Sequence, residues 1–224
     1  MLSKYKNITL DEWQNINKPL NEIIVQPSNP KGDDKSEGYD FSIGMHYNYS
    51  RLSDKDKTNI QIGNHSNLLL CAVCPYTDRS RRGDKMINRQ ILIEQFKEKY
   101  LNNVQLAPYE YYKKLSNYKF IISPEGNGID CHRHYESLLA GCIPIIENNK
   151  DMKRKYRNLP ILYTNNYLEI TPNYLIKKYE EFKNNKYDFS NLFLSNHNET
   201  SQKLIKEYGN YWCLKMNKKL HYIL

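Results

Sequence analysis

One stretch limits the fold more than any other. From Phe120 to Ile146 the chain reads FIISPEGNGIDCHRHYESLLAGCIPII: an apolar run, a loop with two glycines, a helical pattern, a glycine and a second apolar run. Short apolar runs without polar alternation suit strands buried on both faces. Two such strands joined through a helix run parallel, because a tight turn can connect only antiparallel neighbours. The alternation extends in both directions. Strands are expected at 68–74, 104–107, 120–123, 142–146 and 161–163. Helices are expected at 84–100, from Pro108, and at 130–140, 151–157, 171–183 and 199–217. Pro108 suits a first helical position, where its missing N–H costs nothing, and Gly141 suits a helix stop. The pattern predicts an α/β fold, a Rossmann-like parallel sheet of doubly wound type covered by helices. Residues 1–60 are irregular, with short strands expected at 21–26 and 40–46 around a polar, turn-rich loop. The expected division is a small N-terminal section, 1–60, and a Rossmann-like domain, 61–224.

Charge narrows the choice of partner. The formal net charge is +8, which favours anions such as nucleic acid, a membrane surface or a phosphorylated small molecule. The basic clusters at Lys153-Arg154-Lys155, Lys177-Lys178 and Lys218-Lys219 fall on expected helices and read as solvated faces. No apolar run approaches the roughly 20 residues of a membrane span, and the first residues lack the apolar stretch of a signal peptide. Five cysteines without an export signal point to reduced thiols and a cytoplasmic protein. Cys71 and Cys74 have CxxC spacing, but on an expected strand they point to opposite faces and read as core.

In an open parallel sheet, ligands bind at the carboxyl ends of the strands. The loop Glu125-Gly126-Asn127-Gly128 stands at such an end. Its glycines permit positive φ and a close backbone approach to a ligand. Asp130 is placed to cap the following helix, whose first turn favours an anion such as a diphosphate. Arg133 in that turn is able to grip phosphate bidentately, with His132 beside it. Glu136 shares their helical face, where a carboxylate can accept ribose hydroxyls. His132 and Glu136 make a weak metal pair, because a third ligand and an HExxH pattern are missing. A second basic loop, Pro75-Tyr76-Thr77-Asp78-Arg79-Ser80-Arg81-Arg82-Gly83, follows the strand expected at 68–74 and faces the same crevice.

These residues resemble a family. The stretch from Phe120 is similar to the donor-binding segment of exostosin-like glycosyltransferases of GT-B type, particularly the short forms of large DNA viruses. The lead-in Tyr111 to Phe120 resembles that family too. Thr77-Asp78 with Arg82 resembles its T-N-x-x-x-R element, with Asp78 in place of the usual Asn. The resemblance spans about residues 65–165. It implies sugar transfer from a nucleotide-diphosphate sugar, a UDP- or GDP-sugar, to a hydroxyl of a glycan or glycoprotein acceptor, in the cytoplasm, including that of a virus-infected host cell. It implies no cofactor and no metal. By position, Arg82 and Arg133 neutralise the diphosphate and Glu136 holds the ribose. Glu125 with Gly126, Asn127 and Gly128 lies against the donor sugar, and His132 adjoins Arg133 on the donor side. An inverting reaction needs a base. Glu125 and Asp130 are candidates from the motif, Asp40 and His46 from position. Inversion and retention both remain open. Sixty residues are too few for a full acceptor domain, so the acceptor side is either minimal or supplied by another chain. Two other readings are a non-catalytic nucleotide-sugar or glycan-binding module and a basic nucleic-acid-binding domain, the latter without a recognisable reader motif.

Overall fold

The structure, a computed structural model, describes residues 2–25, 40–83, 87–99 and 101–215. Four parallel strands form the central sheet: β2 (Asn67–Leu70), β3 (Tyr118–Ile122), β4 (Ile143–Glu147) and β5 (Leu162–Thr164). They lie side by side in sequence order, so the reversal of strand order expected of a doubly wound sheet is not found among them. Phe120, Ile121 and Ile122 are all fully buried, as their unbroken apolar run requires. α5 (Pro108–Leu115) leads into β3, α6 (His132–Leu139) joins β3 to β4, and α7 (Lys150–Lys155) joins β4 to β5. α8 (Pro172–Lys183) starts at the Thr171 cap, whose hydroxyl accepts the Tyr174 N–H. It packs on β2 and sets Tyr179 against Phe120.

Two expected elements change. The strand expected at 68–74 ends at Leu70. Beyond it, the Asn103 side-chain amide bonds both the N–H and the carbonyl of Val73. That side chain occupies the ladder positions a neighbouring strand would use, so residues 104–107 run alongside without forming the strand expected there; only the Val104 N–H reaches the Cys71 carbonyl. In the same segment Cys71 is buried while Cys74 is exposed, so the CxxC pair is not a shared core feature. The helix expected at 84–100 is α4 (Arg89–Glu98); its expected ends at 84–86 and 100, the loop near 27–38 and Lys218-Lys219 lie outside the described residues.

The first 60 residues hold structure that the apolar pattern did not mark. β1 (Lys6–Thr9) pairs antiparallel with β6 (Lys186–Asp188). α1 (Leu10–Asn15) follows through a capping box between Thr9 and Glu12, and α2 (Asp54–Gln61) starts at Ser53. The stretches expected as strands at 21–26 and 40–46 give only isolated bridges, at Ile23 and between Val25 and Met45. Trp13 stacks on Phe189 with ring centroids 4.2 Å apart, and residues of this section share one buried cluster with the sheet.

The same section closes the carboxyl end of α6. Trp13 Nε1 donates to the Leu138 carbonyl at 2.7 Å, and Gln14 donates to that of Gly141 at 2.8 Å. From just beyond that section, His65 Nε2 meets the Ala140 carbonyl at 2.9 Å. A helix end leaves such carbonyls without intrahelical partners. Gly141 turns the chain with φ +81°, as expected of a helix stop. α9 (Glu199–Lys215) ends the described chain. Among the described residues, no helix is long and apolar enough to cross a membrane.

Candidate functional site

The loop after β3 and the first turn of α6 wall a cavity of about 720 Å³. It opens at the carboxyl ends of β2 and β3, the ligand-binding side of a parallel sheet. The chain after β2 forms a second wall, the approach to α5 a third, and Ile43, His46 and Asn48 a fourth. Of the residues read from the sequence, Gly126, Asn127, Gly128, Asp130, His132, Arg133 and Glu136 line it. Arg82 and Glu125 are not among the lining residues.

Those two hold each other instead. Arg82 Nη2 meets Glu125 Oε2 at 2.6 Å and Glu147 Oε1 at 3.1 Å, and Arg81 meets Glu125 at 2.8 Å. Glu147 also accepts the Glu125 N–H and the Tyr167 hydroxyl. Burial and the neighbouring Glu125 charge push the Glu147 carboxyl up from the usual carboxylate range. Every cation in this network has a carboxylate.

Asp130 is likewise engaged. Its Oδ2 accepts from Lys155 Nζ at 2.9 Å and from the Ile43 N–H at 3.0 Å, while Oδ1 accepts the Tyr156 hydroxyl at 2.6 Å. It is only 2% exposed. Burial works against its charge, yet Lys155, His134 and these hydrogen bonds hold its carboxyl below the ordinary value. The cap position of α6 is Cys131 rather than Asp130, and no side chain caps the helix there.

The cavity's own cations are bonded differently. Arg133 donates to the Ala72 carbonyl at 2.8 Å and stacks over Tyr111, 5.5 Å from the ring centre. Its Nε and the Tyr111 hydroxyl are buried, side by side, without a hydrogen bond of normal geometry. Arg89 is 5% exposed; its backbone N–H donates to Asp78 Oδ2 at 2.8 Å, while its guanidinium bonds neutral groups, the Glu125 and Pro124 carbonyls, the Thr77 hydroxyl and, at 3.7 Å, the Cys131 sulfur. Neither arginine has a carboxylate within ion-pair distance among the described residues. Sequence reading missed Arg89. Its trace is Gly126, where an added Cβ would sit 2.9 Å from Arg89 Nη2. Gly126 and Gly128 do not take the positive φ expected of them; among the described glycines that conformation is confined to Gly44, Gly83 and Gly141. The need for glycine at 126 is the close approach of Arg89.

Glu136, 5% exposed, accepts the Tyr112 hydroxyl at 2.9 Å and the His46 N–H at 3.3 Å, both through Oε1. His46 Nδ1 accepts the Asn48 N–H, which leaves the ring proton of the neutral form on Nε2. Burial, His132 and Arg51 push its pKa down to about 3, so the ring is neutral at pH 7. His132 Nδ1 lies 2.8 Å from the Gly44 carbonyl, and the two rings meet edge to face at 5.1 Å. The other motif histidine, His134, is buried against Ser123 Oγ at 2.6 Å and is no part of the cavity wall. Burial pushes the Cys131 thiol up to about 12, so it remains protonated. The described residues hold no group of three or more His, Cys, Asp or Glu able to take a metal ion. A scan of protein-family models and a search of curated proteins returned no match to the chain.

Proposed function

We propose that the chain is a glycosyltransferase that moves a sugar from a nucleotide-diphosphate donor to an acceptor hydroxyl, with the leaving diphosphate neutralised by protein cations rather than by a metal. One observation carries the reading: Arg89 and Arg133 face a cavity of about 720 Å³ with no carboxylate within ion-pair distance of either guanidinium among the described residues. A buried charge without a partner is costly, and arginine does not escape the cost by losing its proton. An entering diphosphate removes the imbalance, and the uncapped first turn of α6 adds a favourable dipole. Glu136 stands one helical turn deeper, where its second oxygen is available to ribose hydroxyls. The resemblance to GT-B enzymes of the exostosin-like type supports the choice of a nucleotide sugar over other anions. In this reading the parallel sheet is the donor side, and residues 41–48 with any partner chain present the acceptor.

Incubation with UDP-, GDP- and dTDP-sugars, read by thermal shift and by nucleotide release, tests the proposal. Stabilisation by one nucleotide and its release from the sugar are expected, with the shift lost in Arg133→Ala and Glu136→Ala. A shift without release would indicate a binding module. Salt-sensitive binding of DNA or RNA that survives Arg133→Ala would indicate a nucleic-acid-binding domain. No shift and no release with any donor would overturn it.

A further inference from the structure

The arginines account for only part of the cavity wall. Residues 74–77, after β2, and 104–108, at the approach to α5, line it without a single charged side chain. We infer that these two segments hold the donor's nucleobase, with Tyr76 as its stacking surface and Gln105 as the group that reads its edge; this rests on the glycosyltransferase reading above.

The ribose fixes where the base falls. Glu136, which takes the ribose in that reading, accepts the Tyr112 hydroxyl at 2.9 Å and so lies against α5. Pro108 opens α5 four residues before Tyr112, which puts it on the same helical face about 6 Å nearer the helix N-terminus. A base is bonded directly to its ribose, and one helical turn is a step of that size. Gln105, Leu106 and Pro108 line the cavity at this point. The facing segment is tied to them: the Val104 N–H reaches the Cys71 carbonyl, and the Asn103 amide holds Val73. Tyr76 stands next to Thr77, whose hydroxyl accepts from Arg89, so stacking surface and diphosphate cation are neighbours.

The chemistry of the two segments suits a flat, neutral ring. Val104, Leu106 and Pro108 supply apolar surface. Tyr76 is 62% exposed, whereas Tyr111 and Tyr112 in the same cavity are buried. Among the described residues the Tyr76 side chain has neither a ring contact nor a hydrogen bond, so its face is available for a base to stack on. Gln105 is exposed, and its amide is likewise without a hydrogen bond among the described residues. That amide carries a donor beside an acceptor, the pattern that matches the adjoining N–H and carbonyl of uracil or guanine bidentately. Polar groups suited to sugar hydroxyls come from other walls, at Asn48 and Asn127.

Calorimetry with UDP, GDP, their sugar conjugates and inorganic pyrophosphate tests the placement in Tyr76→Ala and Gln105→Glu. Both positions are exposed, so both variants should melt as the unaltered protein does. Tyr76→Ala is expected to weaken UDP and GDP by roughly 10-fold or more, while pyrophosphate, which has no base, stays within about threefold. In Gln105→Glu the new carboxylate only accepts. Guanine offers it two adjacent N–H donors, whereas uracil offers one N–H between two carbonyls. The ratio of GDP to UDP affinity is therefore expected to rise by roughly 10-fold or more. Unchanged nucleotide affinity in Tyr76→Ala, an equal loss of pyrophosphate, or an unchanged ratio in Gln105→Glu would overturn the inference and leave the transferase reading intact. A loss confined to the sugar conjugates would assign this wall to the sugar and overturn it as well. Absence of nucleotide binding and release in the unaltered protein would remove both.

Discussion

Two pairs of arginines flank the loop that follows β3, and they differ in what answers their charge. Arg81 and Arg82 lie in a closed set with Glu125, Glu147 and Asp78. Arg89 and Arg133 border the cavity, and their guanidinium groups bond carbonyls, a hydroxyl, a sulfur and an aromatic face. The first pair holds two loops together. The second leaves positive charge directed at a space that a ligand could fill. Arginine count and position in the chain therefore say little about anion binding; the location of the nearest carboxylate decides it. Lys18 supplies a third case. It is 4% exposed, its ammonium bonds the Trp13 and Gln61 carbonyls and lies over the Trp13 ring, and it is not among the residues lining the cavity. Burial lowers its pKa to about 7, so the imbalance is relieved by deprotonation, a route closed to arginine.

The contrast can be broken in order of effect. Removing a carboxylate from a saturated pair should cost most. Asp130→Ala removes the carboxylate that pairs with the buried Lys155 and is expected to lower unfolding free energy by about 3–5 kcal/mol in urea titrations. The depressed Asp130 carboxyl contributes stability above the unfolded value of about 3.9, and that stability is lost as pH falls through the folded one. The variant should accordingly lack this part of the acid limb. Arg133→Ala should act on affinity, weakening nucleotide-sugar binding by about 2–4 kcal/mol in calorimetry with a small change in melting temperature. Arg82→Ala should do the reverse, costing about 1–3 kcal/mol of stability with affinity altered by no more than about threefold. Lost affinity with intact stability in that variant would mean that Arg82 leaves Glu125 for the ligand, and the contrast would vanish. Lys18→Met gives the smallest effect. With a folded pKa near 7 and an unfolded one of about 10.4, the unfolded chain binds more protons between these values, so stability rises with pH. The gain is about 1 kcal/mol from pH 7 to 8, and the variant should show a flat profile there.

Much of the parallel sheet was legible, because β3, β4 and the helices around them are coded by contiguous apolar runs and local stop signals such as Gly141. The cavity was legible for the same reason: strand, loop and helix start are consecutive in sequence, so Gly126 to Glu136 had to gather at one strand end. Long-range pairing stayed hidden. Nothing near Lys6 announces its partner Asp188, although the Thr9/Glu12 capping box did offer a local mark of α1. Arg89 was invisible because its burial depends on two loops that meet only in the fold. The occupation of Asp130 was hidden likewise, since Lys155 and Tyr156 arrive from the end of α7. Asn103 shows the converse, a polar side chain standing in for a strand that the apolar pattern had suggested.

The closure of α6 from the N-terminal section has a consequence in time. Trp13 is synthesised 125 residues before its partner Leu138, and β1 must wait for Asp188 to emerge. Contacts of such separation delay folding, since the intervening chain has to be gathered before they form. On the ribosome the early tryptophan thus spends most of synthesis without its carbonyl or its stacking partner Phe189. The helix that presents Arg133 and Glu136 reaches its final footing only after nearly the whole described chain has been made.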